Sequence, residues 1–238
     1  MCSRVNFIEV LLKNSSTMKL SESILTFYKG LVPPPRLPKG IVAMNPYRDA
    51  YVQGICQAFY EKYYSDSQPR TLMLGINPGR FGSGTTGISF TDPIRLEQGC
   101  GITNSLQKKP ELSSDFIYQM IDAFGGPASF YAKYFISSVS PLGFTHEGKN
   151  INYYDDKKLE KVIRPFAIAS ISQTVKMGMD RSRCYAIGEG KNFDFLVKLN
   201  DEHQWFGEII PLAHPRFIMQ YKRKQLAAYI QSYLDQTA

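Results

Sequence analysis

Sixteen residues of the 238-residue chain offer more chemistry than any other segment: Gly75-Ile76-Asn77-Pro78-Gly79-Arg80-Phe81-Gly82-Ser83-Gly84-Thr85-Thr86-Gly87-Ile88-Ser89-Phe90. Five glycines in this stretch permit backbone conformations that other residues resist, and let a ligand approach the main chain closely. A phosphate loop is one reading, because Gly79 and Gly84 have the spacing of the outer glycines in G-x-x-x-x-G-K-[ST]. Thr85, however, stands where the lysine that serves the outer phosphates belongs. A dinucleotide fingerprint at Gly188-Glu189-Gly190 fails similarly, with Phe193 where the third glycine belongs. A third reading is a pocket for a planar ring. Asn77, on a rigid Asn-Pro-Gly turn, can orient water or pair with an amide-like edge, and Phe90 can supply a stacking face. The structural alternative has Asn77 capping its own turn and Phe90 in the core. His214, before Pro215, is the one histidine at a strand end; His146 and His203 lie in polar loops and are assigned no role. A single histidine is structural by default; its position at the functional edge of the sheet and the scarcity of histidines add weight to a functional role without deciding it.

These residues need elements to hold them. Thr71–Ile76, Tyr134–Val139, Cys184–Gly188 and Glu208–Ala213 read as short buried strands. Helical spacing is expected over Ser21–Leu31 behind a Ser21 cap, over Asp49–Tyr64 with Tyr51, Ile55, Ala58 and Phe59 inward, over Phe116–Phe124, over Asn192–Leu199 and over Leu226–Leu234. Leu159, Val162, Ile163 and Phe166 have helical spacing too, with Pro165 either kinking that helix or opening its second part. Strands alternating with helices predict a three-layer α/β/α fold around a central four-stranded parallel sheet. Ligands of such folds bind beyond the C-terminal strand ends, which directs attention to the residues after Ile76, Val139, Gly188 and Ala213. Pro33-Pro34-Pro35-Arg36-Leu37-Pro38 reads as an extended connector, so residues 1–40 form an N-terminal arm packed on a domain of residues 41–238.

Composition narrows the class. Hydrophobic residues at 43% and charged residues at 21% describe a globular chain. The formal charge of +7 suits a polyanionic partner. Cys2, Cys56, Cys100 and Cys184 are far apart and lack neighbouring histidines, so no metal site and no cofactor are expected. Neither a membrane-length apolar run nor a secretory leader is present, which places the expectation in the cytoplasm, a bacterial nucleoid or a nucleus. The basic run Lys157, Lys158, Lys161 and Arg164 reads as a solvated helix face.

Gly75 to Gly82, continuing without a gap through Thr86-Gly87-Ile88-Ser89-Phe90, resembles the first motif of the single-strand-selective monofunctional uracil-DNA glycosylases. Leu212-Ala213-His214-Pro215 is similar to that family's closing His-Pro motif, and Ser140-Pro141-Leu142 to its intermediate Pro-Leu. The likeness covers roughly residues 70–230 in matching order. It implies a monofunctional DNA glycosylase that hydrolyses the N-glycosidic bond of uracil or a related deaminated or oxidised base, a monomer acting on single- or double-stranded DNA with no membrane partner. By this resemblance Asn77 positions the attacking water and His214 hydrogen-bonds the base carbonyl where charge accumulates. Phe90 stacks on the base, while Ile76 and Gly79 shape the pocket. Arg80, Arg216, Phe217, Lys222 and Arg223 are expected on DNA, with the apolar and basic segment after Pro215 acting as wedge and phosphate clamp.

Two positions depart from the family. Ser138 aligns with an asparagine that reads the ring N–H and carbonyl together; a hydroxyl cannot span donor and acceptor at amide spacing. The departure predicts a pocket open to deaminated or oxidised bases besides uracil. Arg216 and Phe217 stand where the family has a Ser-Pro-like continuation. Ser138 also favours the alternative, a non-catalytic nucleic-acid-binding protein that keeps the fold, while Thr85 argues against nucleotide hydrolysis.

Overall fold

The structure is a computed structural model that describes residues 18–237. The first part of the expected arm, Cys2 included, lies outside the described residues. In chain order, α1 (Leu20–Lys29) leads through the proline connector to β1 (Ile41–Met44) and α2 (Ala50–Tyr63). β2 (Thr71–Gly75) is followed by the short helices α3 (Ser83–Thr86) and α4 (Pro93–Gln98), then α5 (Leu112–Ala123) and α6 (Pro127–Tyr131). β3 (Tyr134–Ser138), β4 (Gly143–His146), β5 (Lys149–Ile151) and α7 (Lys157–Lys176) come next. β6 (Asp180–Ile187), α8 (Lys191–His203), β7 (Glu208–Leu212), α9 (Pro215–Tyr221) and α10 (Leu226–Gln236) complete the fold.

The expected sheet is there: four parallel strands in the order β3-β2-β6-β7. Leu72, Met73, Leu74, Phe135, Cys184, Tyr185, Ala186 and Ile187 are buried, as a strand covered by helices on both faces requires. Register decides what meets at the sheet's functional edge. Gly75 pairs with Ser138, and Ile187 with Leu212. The ladder runs on as the N–H of Val139 donates to the Gly75 carbonyl at 2.8 Å. The residues after β2, β3, β6 and β7 therefore emerge side by side.

A second sheet was not foreseen: antiparallel β1-β4-β5, with β4 and β5 joined by Glu147-Gly148. Both turn residues have positive φ, 49° and 72°, the conformation that lets a two-residue hairpin follow strand twist. These strands are only three or four residues long, too short for a periodicity signal.

Three local expectations need correction. Ser21 does not cap α1; the N-cap is Lys19, with no side-chain bond, and Ser21 is buried in the helix. The free N–H groups of Leu20 and Ser21 donate instead to the Asp66 and Tyr64 carbonyls, both at 2.8 Å, so tertiary contacts replace the cap. In α2 the buried stripe is Val52, Ile55, Cys56, Phe59 and Tyr60, while Tyr51 and Ala58 face out. Of the two readings of Pro165, the restart is excluded: α7 runs through it, with Pro165 on the exposed side. On the inner side of α1, Tyr28 stacks on Tyr47 with ring centroids 4.5 Å apart and hydrogen-bonds the Ser137 hydroxyl of β3 at 3.2 Å.

Candidate active site

A cavity of about 430 Å³ opens at the C-terminal ends of the parallel strands. Its wall includes Ile76, Asn77, Gly79, Phe90, Ser138, His214, Arg216 and Phe217. Eight of the eleven expected site residues are thereby brought to one cavity. Arg80 lines a separate depression beside Glu111, its side chain already bonded to the Gly148 carbonyl and lying over the Phe81 ring. Lys222 and Arg223 are exposed past the end of α9 and do not line the cavity.

The glycine loop is not a phosphate cradle. The N–H groups of Gly82 and Gly84 both donate to the Gly79 carbonyl, at 3.2 and 2.8 Å, and the Thr85 hydroxyl to the Arg80 carbonyl. The amides such a site would offer an anion are turned inward. What the loop presents is Phe90. Thr86 fastens its base, the hydroxyl donating to the Thr91 carbonyl at 2.6 Å and accepting from the Ile88 N–H at 3.2 Å. The Tyr47 hydroxyl holds the Gly87 carbonyl at 3.0 Å. Phe90 itself sits at φ 51°, a conformation L-residues rarely adopt. Its ring lies against Gly75, where a Cβ would come within 2.8 Å of Cε2. The ring is therefore a partly exposed cavity face, not a core side chain.

Asn77 does not cap its own turn. Its Nδ2 donates to the Ile151 carbonyl at 3.2 Å and its Oδ1 accepts from the Tyr153 N–H at 3.0 Å. Tyr153 is anchored in turn, its hydroxyl donating to Asn192 Oδ1 at 2.9 Å. Each half of the amide keeps one unused position, a lone pair on Oδ1 and an N–H on Nδ2, in fixed orientation. Ser138 is buried at the tip of β3, and its hydroxyl has no hydrogen-bond partner among the described residues.

His214 caps α9. Its Nδ1 accepts from the Arg216 N–H at 3.1 Å, which leaves the ring proton on Nε2. Burial, with the Arg216 guanidinium adding to it, lowers the imidazole from the usual 6.5 to about 4. The ring is neutral at physiological pH, a fixed Nε2–H donor on the wall that also carries Asn77. Its centroid is 6.3 Å from that of Phe90.

Sequence reasoning missed Glu111, Asn150, Asn152, Tyr154 and Tyr221 in this wall. Tyr221 had a signal: it lies four residues from Phe217 on α9, and the two exposed rings sit 5.6 Å apart. Glu111 had none, since only the packing of α5 against the glycine loop brings it there. Among the described residues no helix is long and apolar enough to cross a membrane.

The model of the uracil DNA glycosylase superfamily matches residues 61–238. Among solved structures, the crystal structure of wild-type SMUG2 from Pedobacter heparinus is 46% identical, covers 92% of this chain and 97% of its own, and superposes with a TM-score of 0.90. No curated protein matches. The chain belongs to the uracil DNA glycosylase superfamily.

Proposed function

We propose that the protein hydrolyses the bond between deoxyribose C1′ and the ring nitrogen of uracil, or of a related damaged base, in DNA. The observation that carries this reading is His214, a neutral imidazole with its proton fixed on Nε2, on the same cavity wall as the oriented Asn77 amide. As the C1′–N bond breaks, its electron pair passes to the base, and negative charge gathers on the carbonyl beside that nitrogen. A neutral donor at that oxygen stabilises the departing anion without having to transfer a proton; such aimed donors contribute about 3–4 kcal/mol. The sugar acquires cationic character, and water held by the free positions of Asn77 adds to C1′. One proton of that water leaves to solvent or to the departed base. Because the sugar is strongly electrophilic at this stage, water needs positioning more than deprotonation. The motif's lack of an aspartate beside Asn77 is consistent with that order of events.

Phe90 would stack on the extruded ring, and Ser138 would offer a single hydroxyl to its polar edge. Phe217, 43% exposed at the mouth, suits the gap left by the base, with Arg216, Lys222 and Arg223 toward phosphates and Arg80 at the rim. All these groups come from one chain, so a monomer suffices. Incubation with single- and double-stranded oligonucleotides carrying uracil should yield abasic sites. Asn77→Ala and His214→Ala should each lower the single-turnover rate by about a hundredfold or more. Salt-sensitive DNA binding with no abasic product would refute catalysis and favour a binding role for the same fold.

A further inference from the structure

The left-handed backbone of Phe90 has to be enforced, because side-chain-bearing residues keep such a conformation only where their surroundings over-determine it. Thr86 supplies the local part of that enforcement, through its bonds to Ile88 and Thr91. The rest comes from residues that precede the segment matched by the superfamily model, residues 61–238. Gly87, buried and itself at φ 74°, lies directly on them. A Cβ there would stand 2.6 Å from Cys56 Sγ, 3.1 Å from the Tyr47 ring and 3.1 Å from Val52 Cγ1. The loop base therefore has no room to move inward. The Tyr47 hydroxyl, donating to the Gly87 carbonyl at 3.0 Å, keeps it from moving outward.

Tyr47 is fixed in its turn. Its N–H donates to Asn45 Oδ1 at 3.2 Å, and its carbonyl accepts from the Gln53 side chain at 2.7 Å. Tyr28 of α1 backs the ring, the two stacked 22° from parallel. The Tyr28 hydroxyl shares its hydrogen bond with Ser137, the residue before Ser138 on β3. One buried connection thus runs from α1 to both the Phe90 loop and the strand that carries Ser138. Neither tyrosine lines the cavity.

This inference rests on the glycosylase reading above. We infer that Tyr47, backed by Tyr28, is a positioning residue for base capture: its hydroxyl holds the Phe90 ring where it can stack on an extruded base. A phenylalanine at position 47 keeps the ring and its packing but leaves the buried Gly87 carbonyl unpaired. The loop then relaxes toward another partner for that carbonyl, and Phe90 leaves its place against Gly75. The helix ahead of the proline connector acquires a function by this route, as support for the pocket from behind.

The test is a double-mutant cycle on kcat/KM with uracil-containing oligonucleotides, run well below the unfolding midpoint of every variant. Tyr47→Phe should lower kcat/KM about tenfold in the wild-type background and less than about twofold in Phe90→Ala. Tyr28→Leu, which removes the backing ring, should cost about threefold and show the same dependence on Phe90. Tyr60→Phe is the control: its ring also lies against Tyr28, at 5.7 Å, but its buried hydroxyl has no hydrogen-bond partner among the described residues, so kcat/KM should stay within about twofold. A purely structural role for Tyr47 would lower stability in urea and leave kcat/KM unchanged, or lower it equally in both backgrounds; either result overturns the assignment. So does a wild-type kcat/KM in Phe90→Ala, or a loss in Tyr60→Phe as large as that in Tyr47→Phe. A wild type that yields no abasic product defeats the glycosylase reading itself, and this inference with it.

Discussion

The protonation state of His214 can be measured without any substrate. Its drop from 6.5 to about 4 corresponds to about 3 kcal/mol of preference for the neutral ring. The Arg216 N–H at 3.1 Å adds a structural reason, because a proton on Nδ1 would remove that acceptor and leave the first turn of α9 uncapped. The sign of the stability effect follows from linkage. Above pH 6.5 the imidazole is neutral in folded and unfolded chains alike and contributes nothing. Between 6.5 and about 4 only the unfolded chain takes up the proton, so stability falls as pH falls, by up to about 3 kcal/mol, and then levels off. Imidazole NMR is a direct assay, since the chain has only three histidines and His214→Gln removes one set of signals. The His214 signals should stay those of the Nε2–H tautomer down to about pH 5. Urea unfolding should show the stability advantage of wild type over His214→Gln shrinking across the same window. A His214 midpoint between pH 6 and 7, or an Nδ1–H tautomer at pH 7, would refute the neutral-donor argument.

Two further substitutions test the pocket. Gly75→Ala puts a Cβ within 2.8 Å of the Phe90 ring and 3.5 Å of the Ser138 hydroxyl. The ring must move from its place, so KM for uracil-containing DNA should rise several-fold, with a stability loss of about 1–3 kcal/mol by urea denaturation; an unchanged KM would mean that Phe90 does not stack on the base. Ser138→Asn supplies donor and acceptor at amide spacing and should raise kcat/KM for uracil relative to hypoxanthine and xanthine by about tenfold; a flat ratio would remove Ser138 from base recognition.

The parallel sheet was legible because each strand carries a short apolar run, ended by Asn-Pro-Gly, Ser-Pro, Gly-Glu-Gly or His-Pro, and both the run and the punctuation are local properties; the polar first half of β6, Asp180–Arg183, was not foreseen. The pocket loop and His214 were legible from motifs. The small antiparallel sheet was not, although Glu147-Gly148 is a turn pair of the kind that makes tight hairpins. On α2, Ile55 and Phe59 face inward as expected, but Tyr51 and Ala58 do not, and Tyr51 looks apolar in sequence. In the fold it stands on the surface, its hydroxyl accepting from the Ser105 N–H at 2.7 Å.

Sequence alone determined which side chains stand at the strand ends, since the chain cannot place Asn77 or His214 anywhere but just beyond the strands that precede them. Tertiary structure decided what those side chains are free to do. The Ile151 carbonyl and Tyr153 N–H that orient the Asn77 amide lie more than seventy positions away. Burial and a neighbouring N–H select the neutral form and the tautomer of His214. Glu111 reaches the cavity only because two glycines of a distant loop leave it room. Hydrogen-bond partners and desolvation arise from contacts between segments remote in the chain, and no local pattern of residue types encodes them.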